Sequence, residues 1–272
     1  GQQGGSSQTA GHDVNYLSRA GILNSIGEHD GSPVIPAVQI ADIAGGAMNG
    51  VIGILLALYE REYSGKGQYI DISMTDGLLG LLTLPNVLEK TTGMVQHRSA
   101  SMLSHRYGCY NTYETADGRF VALGAVENRF WSNLCTILGL EEYKTLQYDE
   151  QRRSEIIERL CTIFKDKDLE YWQETLADAD VCYSKVQTME EVFSDPLFKE
   201  RSMVLGQESM EGLKKTFGIA VKLNRTPGTI SSPPPAFGEN TRDILNELGY
   251  SEEAIQELFD TGLLSRLPGL VR

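Results

Sequence analysis

Two periodicities alternate along this chain. From His12 to Leu23, the apolar residues Val14, Tyr16, Leu17, Ala20 and Ile22 mark one helical face, which predicts a short helix whose end is weakened by Gly21. Pro33 and Pro36 make residues 30–38 an extended bend, because a residue preceding proline is pushed out of the helical region. Ala41 to Tyr63 then reads as one long helix. Its first half is unusually small (Ala44, Gly45, Gly46, Ala47, Gly50, Gly53), so another helix or a ligand is expected to approach that backbone closely. Gly65 is placed to end this helix in a left-handed cap, and Tyr69 to Ser73 alternates as a strand. Met74 to Lys90 reads as a second helix kinked at Pro85.

After Thr91 the pattern changes. Residues 92–106 are polar and read as loop, and two strands, Cys109–Thr115 and Arg119–Ala125, flank an Asp117-Gly118 turn. Helices are expected near 128–138, 150–165 and 168–177, a strand near 181–186, and a helix near 189–194. Residues 205–222 read as two short strands, and 224–237, with Pro227 and Pro233-Pro234-Pro235, as an extended linker. Two helices close the chain, near 240–248 and 251–261, with Ser251 capping the last. The implied organisation is the remaining part of a large α/β domain with a linker helix over 1–90 and a linker over 91–107. A small α+β domain over 108–200 follows, and then a return linker with C-terminal helices over 201–272.

Composition narrows the possibilities. The 272 residues are 41% hydrophobic and 22% charged, ordinary for a folded protein. A net charge of −13 argues against nucleic acid as a partner, and no basic run suggests a membrane anchor. The bulky apolar run Val51–Tyr59 is far shorter than the ~20 residues a bilayer crossing needs, so no membrane insertion is expected. Cys109, Cys135, Cys161 and Cys182 are too widely spaced for a zinc or redox motif and read as reduced, buried thiols. A cytoplasmic or, in a eukaryote, mitochondrial or peroxisomal setting is the expectation.

Three ionisable residues stand where chemistry could occur. His12 lies at the mouth of the first helix and is either a hydrogen-bonded structural histidine or a proton-transfer group. Asp42 opens the long helix and is expected to be drawn partly out of water, as helix cap or as chemical group. Glu127 follows the apolar run Phe120–Val126, where a carboxylate is about to leave water, again as cap or as functional residue.

Taken in order, Gly-His-Asp-Val-Asn-Tyr at 11–16, Ala-Asp-Ile-Ala-Gly-Gly at 41–46, Gly-Lys-Gly-Gln at 65–68, Thr-Asp-Gly at 75–77, Tyr-Glu-Thr-Ala-Asp-Gly-Arg at 113–119 and Gly-Ala-Val-Glu at 124–127 resemble the family III CoA-transferases, and among them the α-methylacyl-CoA racemases. The resemblance implies an α/β fold with a large Rossmann-like domain, here incomplete at its N-terminal side, a smaller α+β domain, and an interlocked homodimer. It implies an acyl-CoA substrate with no separate cofactor and no metal. His12 and Asp42 take the acid/base positions, Glu127 orients the histidine, and Asp13, Tyr16, Ile43, Ala44 and Gly45 fall at CoA-binding positions.

Inverting a carbon beside a thioester carbonyl needs one group to remove a proton and another to return one to the opposite face. The enolate formed between those steps needs preorganised donors, for which the amides of Ile43 to Gly46 are candidates. Met48, Met74, Met94 and Met102 are candidate parts of an adaptable acyl groove, or else ordinary core methionines. Where racemases usually carry Asn four positions ahead of the aspartate, this chain has Val38. Two other readings compete with racemisation. One is CoA transfer between carboxylic acids with Asp42 as nucleophile; the other is a silent fragment, or a subunit needing a separate N-terminal chain.

Overall fold

The computed structural model describes residues 1–93, 97–209, 212–232, 235 and 237–264. Two compact units are present, residues 1–186 and residues 187–272. The first contains two hydrophobic cores, and the smaller of them is organised around the Ala41 helix.

α1 spans Asp13–Arg19, shorter than the His12–Leu23 pattern because a separate turn of 3₁₀ helix, Leu23–Ser25, takes up the last apolar positions. The long helix begins as a π-helical stretch, Ala41–Met48, and continues as α2, Asn49–Ser64. Asn49 accounts for the local widening, since its side-chain amide donates to the carbonyls of Ala44 (2.8 Å) and Gly45 (3.1 Å). Gly65 ends α2 with φ +70°, the left-handed cap its position predicts.

The small residues are explained by α3, Met74–Leu79. A Cβ on Gly45 would stand 2.4 Å from the Met74 carbonyl oxygen, so a helix, not a ligand, occupies the space that glycine leaves. Leu17, Ala20, Ile22, Ala41 and Leu78 form the core where α1, the π-helical stretch and α3 meet.

Tyr69 to Ser73 does not form a strand. The segment lies along α2, where Ile70 and Ile72 face Gly53, and Asp71 accepts from the Gln2 amide at 2.9 Å. A strand needs a ladder partner, and among the described residues none runs beside it. The expected 74–90 helix is divided into α3, a 3₁₀ turn at Gly80–Leu82, and α4, Thr83–Thr92. Pro85 then falls in the first turn of α4, where a missing amide hydrogen costs little.

The larger core is α+β. β1 (Tyr110–Glu114) pairs antiparallel with β2 (Phe120–Gly124), which pairs antiparallel with β3 (Tyr183–Lys185). At the β1–β2 turn, Asp117 accepts from the Thr115 hydroxyl at 2.5 Å and the Gly118 amide returns to the Thr115 carbonyl at 3.0 Å. Three helices cover one sheet face: α5 (Asn128–Ile137), α6 (Arg153–Lys165) and α7 (Leu169–Leu176). Tyr113, Val121, Trp131, Leu134, Leu160, Phe164 and Trp172 are buried between these layers. Both tryptophan indoles are satisfied, Trp131 by the Tyr143 carbonyl (2.8 Å) and Trp172 by the Phe164 carbonyl (2.9 Å).

The second unit begins with α8, Met189–Ser194, capped by Thr188, and α9, Pro196–Glu200, capped by Asp195. β4 (Val204–Ser209) and β5 (Gly212–Phe217) are the two short strands expected there, paired antiparallel and ending before residue 218. Residues 218–232 carry no regular element, and Pro233 and Pro234 of the expected linker lie outside the described residues. α10 (Thr241–Glu247) and α11 (Glu252–Asp260) follow, with the Ser251 hydroxyl accepting from the Ala254 amide at 3.3 Å.

All four cysteines are free, but only Cys109 and Cys135 are buried; Cys161 and Cys182 are exposed. The expectation of four buried thiols is corrected accordingly. Residue type records the general preference of cysteine for the interior, while exposure depends on which helix or strand face the residue occupies.

The apolar face of α2 is largely uncovered, with Leu55 59% and Tyr59 64% exposed. Ala41–Ser64, 24 residues, is long and apolar enough to cross a membrane by length and composition alone. That revises the run-length expectation, which rested on Val51–Tyr59; alanines and glycines extend the apolar span without adding bulk.

Candidate functional site

The site residues fall into two groups, one at the α1–Ala41 junction and one at the end of β2. His12 is the residue before α1. Its amide donates to the Asn15 side chain at 3.0 Å, and Tyr16 staples the preceding loop by donating its hydroxyl to the Gly11 carbonyl at 2.9 Å. The His12 side chain is exposed, and with Asn15 it completes a capping box at the start of α1.

Asp42 lies in the first turn of its helix, but the cap is supplied by another residue. Asp13 accepts from the amide of Ala41 at 2.6 Å and from that of Asp42 at 3.2 Å. A carboxylate at a helix start is favoured by both the unpaired amides and the helix dipole. The Asp42 side chain stays exposed, which corrects the expectation that it leaves water. Its release from the cap role follows from Asp13, twenty-nine positions away in sequence, occupying the amides of Ala41 and Asp42. The amide of Ile43 donates to the Gln39 carbonyl at 3.1 Å. Of the amides expected as enolate donors, that of Ile43 is thus occupied, and Gly45 is buried against α3. Val38 is 62% exposed and offers Asp42 no side-chain hydrogen bond.

Glu127 precedes α5 in extended backbone (φ −74°, ψ 138°), and its side chain is exposed without capping the helix. Both the cap alternative and the expected withdrawal from water are corrected; the carboxylate turns outward where the strand meets solvent. The backbone leading to it is held firmly. Gln147 donates to the carbonyls of Ala125 (2.9 Å) and Val126 (2.7 Å), and the Tyr148 hydroxyl donates to Val126 at 2.5 Å. Burial pushes the Tyr148 hydroxyl up to about 12, and the Cys109 thiol and the Glu127 carboxylate act in the same direction. Nothing in the sequence spacing of Gln147 and Tyr148 marks them for this role. No hydrogen bond joins Glu127 to His12 within this chain among the described residues.

The candidate methionines have different surroundings. Met74 packs against Gly46, where a Cβ would come within 2.9 Å of its Cγ, while Met48 is 58% exposed. Met102 lines a small cavity with Leu88, Arg106 and Tyr107, and Met94 lies outside the described residues. A larger cavity, about 460 Å³, lies against the three-stranded sheet with His105, Tyr110, Thr112, Gly124, Cys182 and Ser184 in its wall. His12, Asp42 and Glu127 are not part of that wall.

A profile of CoA-transferase family III matches residues 1–241. α-Methylacyl-CoA racemase of Mus musculus is 36% identical over 264 residues, covering 95% of this chain and 68% of the racemase. Succinyl-CoA:glutarate CoA-transferase of Mus musculus is 27% identical over 278 residues, covering 98% of this chain and 62% of the transferase. Among solved structures, a CAIB/BAIF family protein from Brucella suis superimposes with a TM-score of 0.72 at 25% identity, over 91% of this chain and 65% of that one. The chain thus spans about two thirds of the length of the proteins it matches. The match along most of its length, with the mixed α/β architecture, places this chain in CoA-transferase family III.

Proposed function

We propose that this chain serves racemisation of 2-methylacyl-CoA thioesters by 1,1-proton transfer. The observation that carries the reading is the α1–Ala41 junction, where His12 and Asp42 belong to two segments tied together by the Asp13 carboxylate. The 36% identity to a racemase agrees with it. One of the two residues removes the α-proton, and the electron pair left behind moves into the Cα–C bond as the thioester carbonyl becomes an enolate. The other, in its acid form, returns a proton to the opposite face, so the product differs from the substrate only in configuration. An imidazole and a carboxyl group suit the two roles when one of them carries a proton and the other does not, so that the base on one face is matched by an acid on the other.

Glu127 is the residue proposed to fix the tautomer of His12 through its second ring nitrogen, in the manner of a triad. The backbone at Ala44 and Gly45 is the proposed source of enolate donors, and Asp13, Tyr16 and Ile43 act by shaping the CoA-facing end of this helix. The working form is an interlocked homodimer.

A second reading is favoured by the 27% identity to a CoA-transferase. In it the Asp42 carboxylate attacks the thioester carbonyl, giving a mixed anhydride and free CoA thiolate; the thiolate then attacks Asp42 to leave an aspartyl-CoA thioester and a free acid. A third reading, a subunit dependent on a separate chain, is favoured by the uncovered face of α2.

The test is incubation of a branched acyl-CoA in heavy water with and without a free acceptor acid, followed by mass spectrometry. Deuterium uptake at the α-carbon without acceptor is the result expected of racemisation. CoA transfer without uptake would overturn it in favour of the transferase. Neither reaction, together with undetectable CoA binding by calorimetry, would overturn it in favour of a dependent subunit.

A further inference from the structure

The two candidate acid/base residues lie far apart in sequence, yet only one residue and one hydrogen bond separate their backbones. His12 is bonded covalently to Asp13, and the Asp13 carboxylate receives the amide hydrogen of Asp42 (3.2 Å) as well as that of Ala41 (2.6 Å). We propose that Asp13 is a positioning residue that sets the His12–Asp42 geometry. This rests on the racemase reading and deepens it.

Both ends of the connection are anchored. On the histidine side, the Gly11–His12 peptide is held by the Asn15 side chain and the Tyr16 hydroxyl, and the His12 carbonyl accepts from the amides of Asn15 and Tyr16, so the backbone is fixed on either side of the imidazole. On the aspartate side, Ala41 is fully buried in the core that α1 shares through Leu17 and Ala20. The carboxylate accepts two amides with one oxygen, Oδ1, and a charged acceptor makes these bonds stronger than neutral ones. Small movements of either residue therefore require breaking a charge-assisted bond at a partly buried position.

This assignment has a chemical consequence. Helix-start amides are the usual source of donors for a developing oxyanion, but here Ala41 and Asp42 donate to Asp13 and Ile43 donates to Gln39. The helix start is used to hold the acid/base pair, so the amides of Ala41, Asp42 and Ile43 are not free to serve as enolate donors. Asp13 thereby acts through its neighbours and does not itself exchange the proton.

The test compares Asp13→Asn, which keeps an acceptor oxygen, with Asp13→Ala, which removes it, in the full chain. Two readouts are needed: hydrogen exchange of the Ala41 and Asp42 amides, and α-deuterium uptake by a 2-methylacyl-CoA substrate. Asp13→Ala is expected to speed exchange of both amides and to lower kcat by about 100-fold, the effect of a misplacement near 1 Å, with KM little changed. Asp13→Asn is expected to restore most of both.

Unchanged amide exchange in Asp13→Ala would overturn the clamp. Faster amide exchange with unchanged kcat, or a raised KM at constant kcat, would overturn the positioning role. If the wild-type chain takes up no deuterium, the racemase reading fails, and the amide readout still decides the clamp separately.

Discussion

A Cβ built on Gly77 would stand 2.3 Å from the carbonyl oxygen of Gly45, and 2.7 Å from the side-chain nitrogen of Asn49. The contact shows why two glycines face each other where α3 crosses the π-helical stretch. The backbones pack without an intervening side chain, and Asn49 occupies the remaining space while satisfying two carbonyls. Gly77→Ala should therefore overpack this crossing and destabilise the first unit by about 1–3 kcal/mol, the usual range for forced core insertions. Urea denaturation measures this directly; Gly67→Ala, where nothing lies within 4 Å of the added methyl, is the control expected to change little.

The same crossing shows what the sequence could and could not convey. The run of alanines and glycines announced a close approach, and the approach is there. That the helix opens with π geometry was illegible, because it depends on Asn49 choosing backbone carbonyls as partners. The Asp117-Gly118 turn and the Ser251 cap are local chemistry and were read from adjacent residues. Of the two alternatives open for Asp42, the cap falls away because Asp13 reaches the start of the Ala41 helix from another segment. Tyr69–Ser73 alternates correctly for an extended chain, but alternation carries no information about a neighbouring strand. The start of α9 at Asp195-Pro196 was legible, since proline in a helix's first turn after an aspartate cap is a recognised signal, and it was missed.

Acid stability should depend on Glu155. Its carboxylate accepts from Arg152 at 2.5 Å and 2.6 Å and from the Tyr143 hydroxyl at 2.9 Å, and these bonds, those from Arg152 foremost, hold it at about 2 instead of the ordinary 4.5. A carboxylate depressed in the folded state contributes stability fully above its ordinary value, and that contribution is lost as pH falls through the folded value. Denaturation midpoints should thus decline between about 4.5 and about 2, and Glu155→Gln should flatten the decline. Glu150, lowered by Arg106 and Tyr107, contributes in the same direction and leaves some slope behind.

Thiol reactivity should divide the cysteines into two pairs. Burial pushes the Cys135 thiol up to about 12 and raises that of Cys109, so neither offers an accessible thiolate in the folded chain. Cys182 and Cys161 are exposed and open to reagent, so they should react before the buried pair. Maleimide labelling followed by peptide mapping should find Cys161 and Cys182 modified in native protein, and all four only after denaturation.

The central claim is that the imidazole of His12 handles the proton on one face of the α-carbon and the Asp42 carboxylate the other. The direct measurement is deuterium uptake from heavy water by His12→Ala, started separately from each enantiomer of a 2-methylacyl-CoA. The account predicts that uptake from one enantiomer disappears in this variant while the wild-type chain labels both. Uptake at wild-type rates from both enantiomers would contradict it.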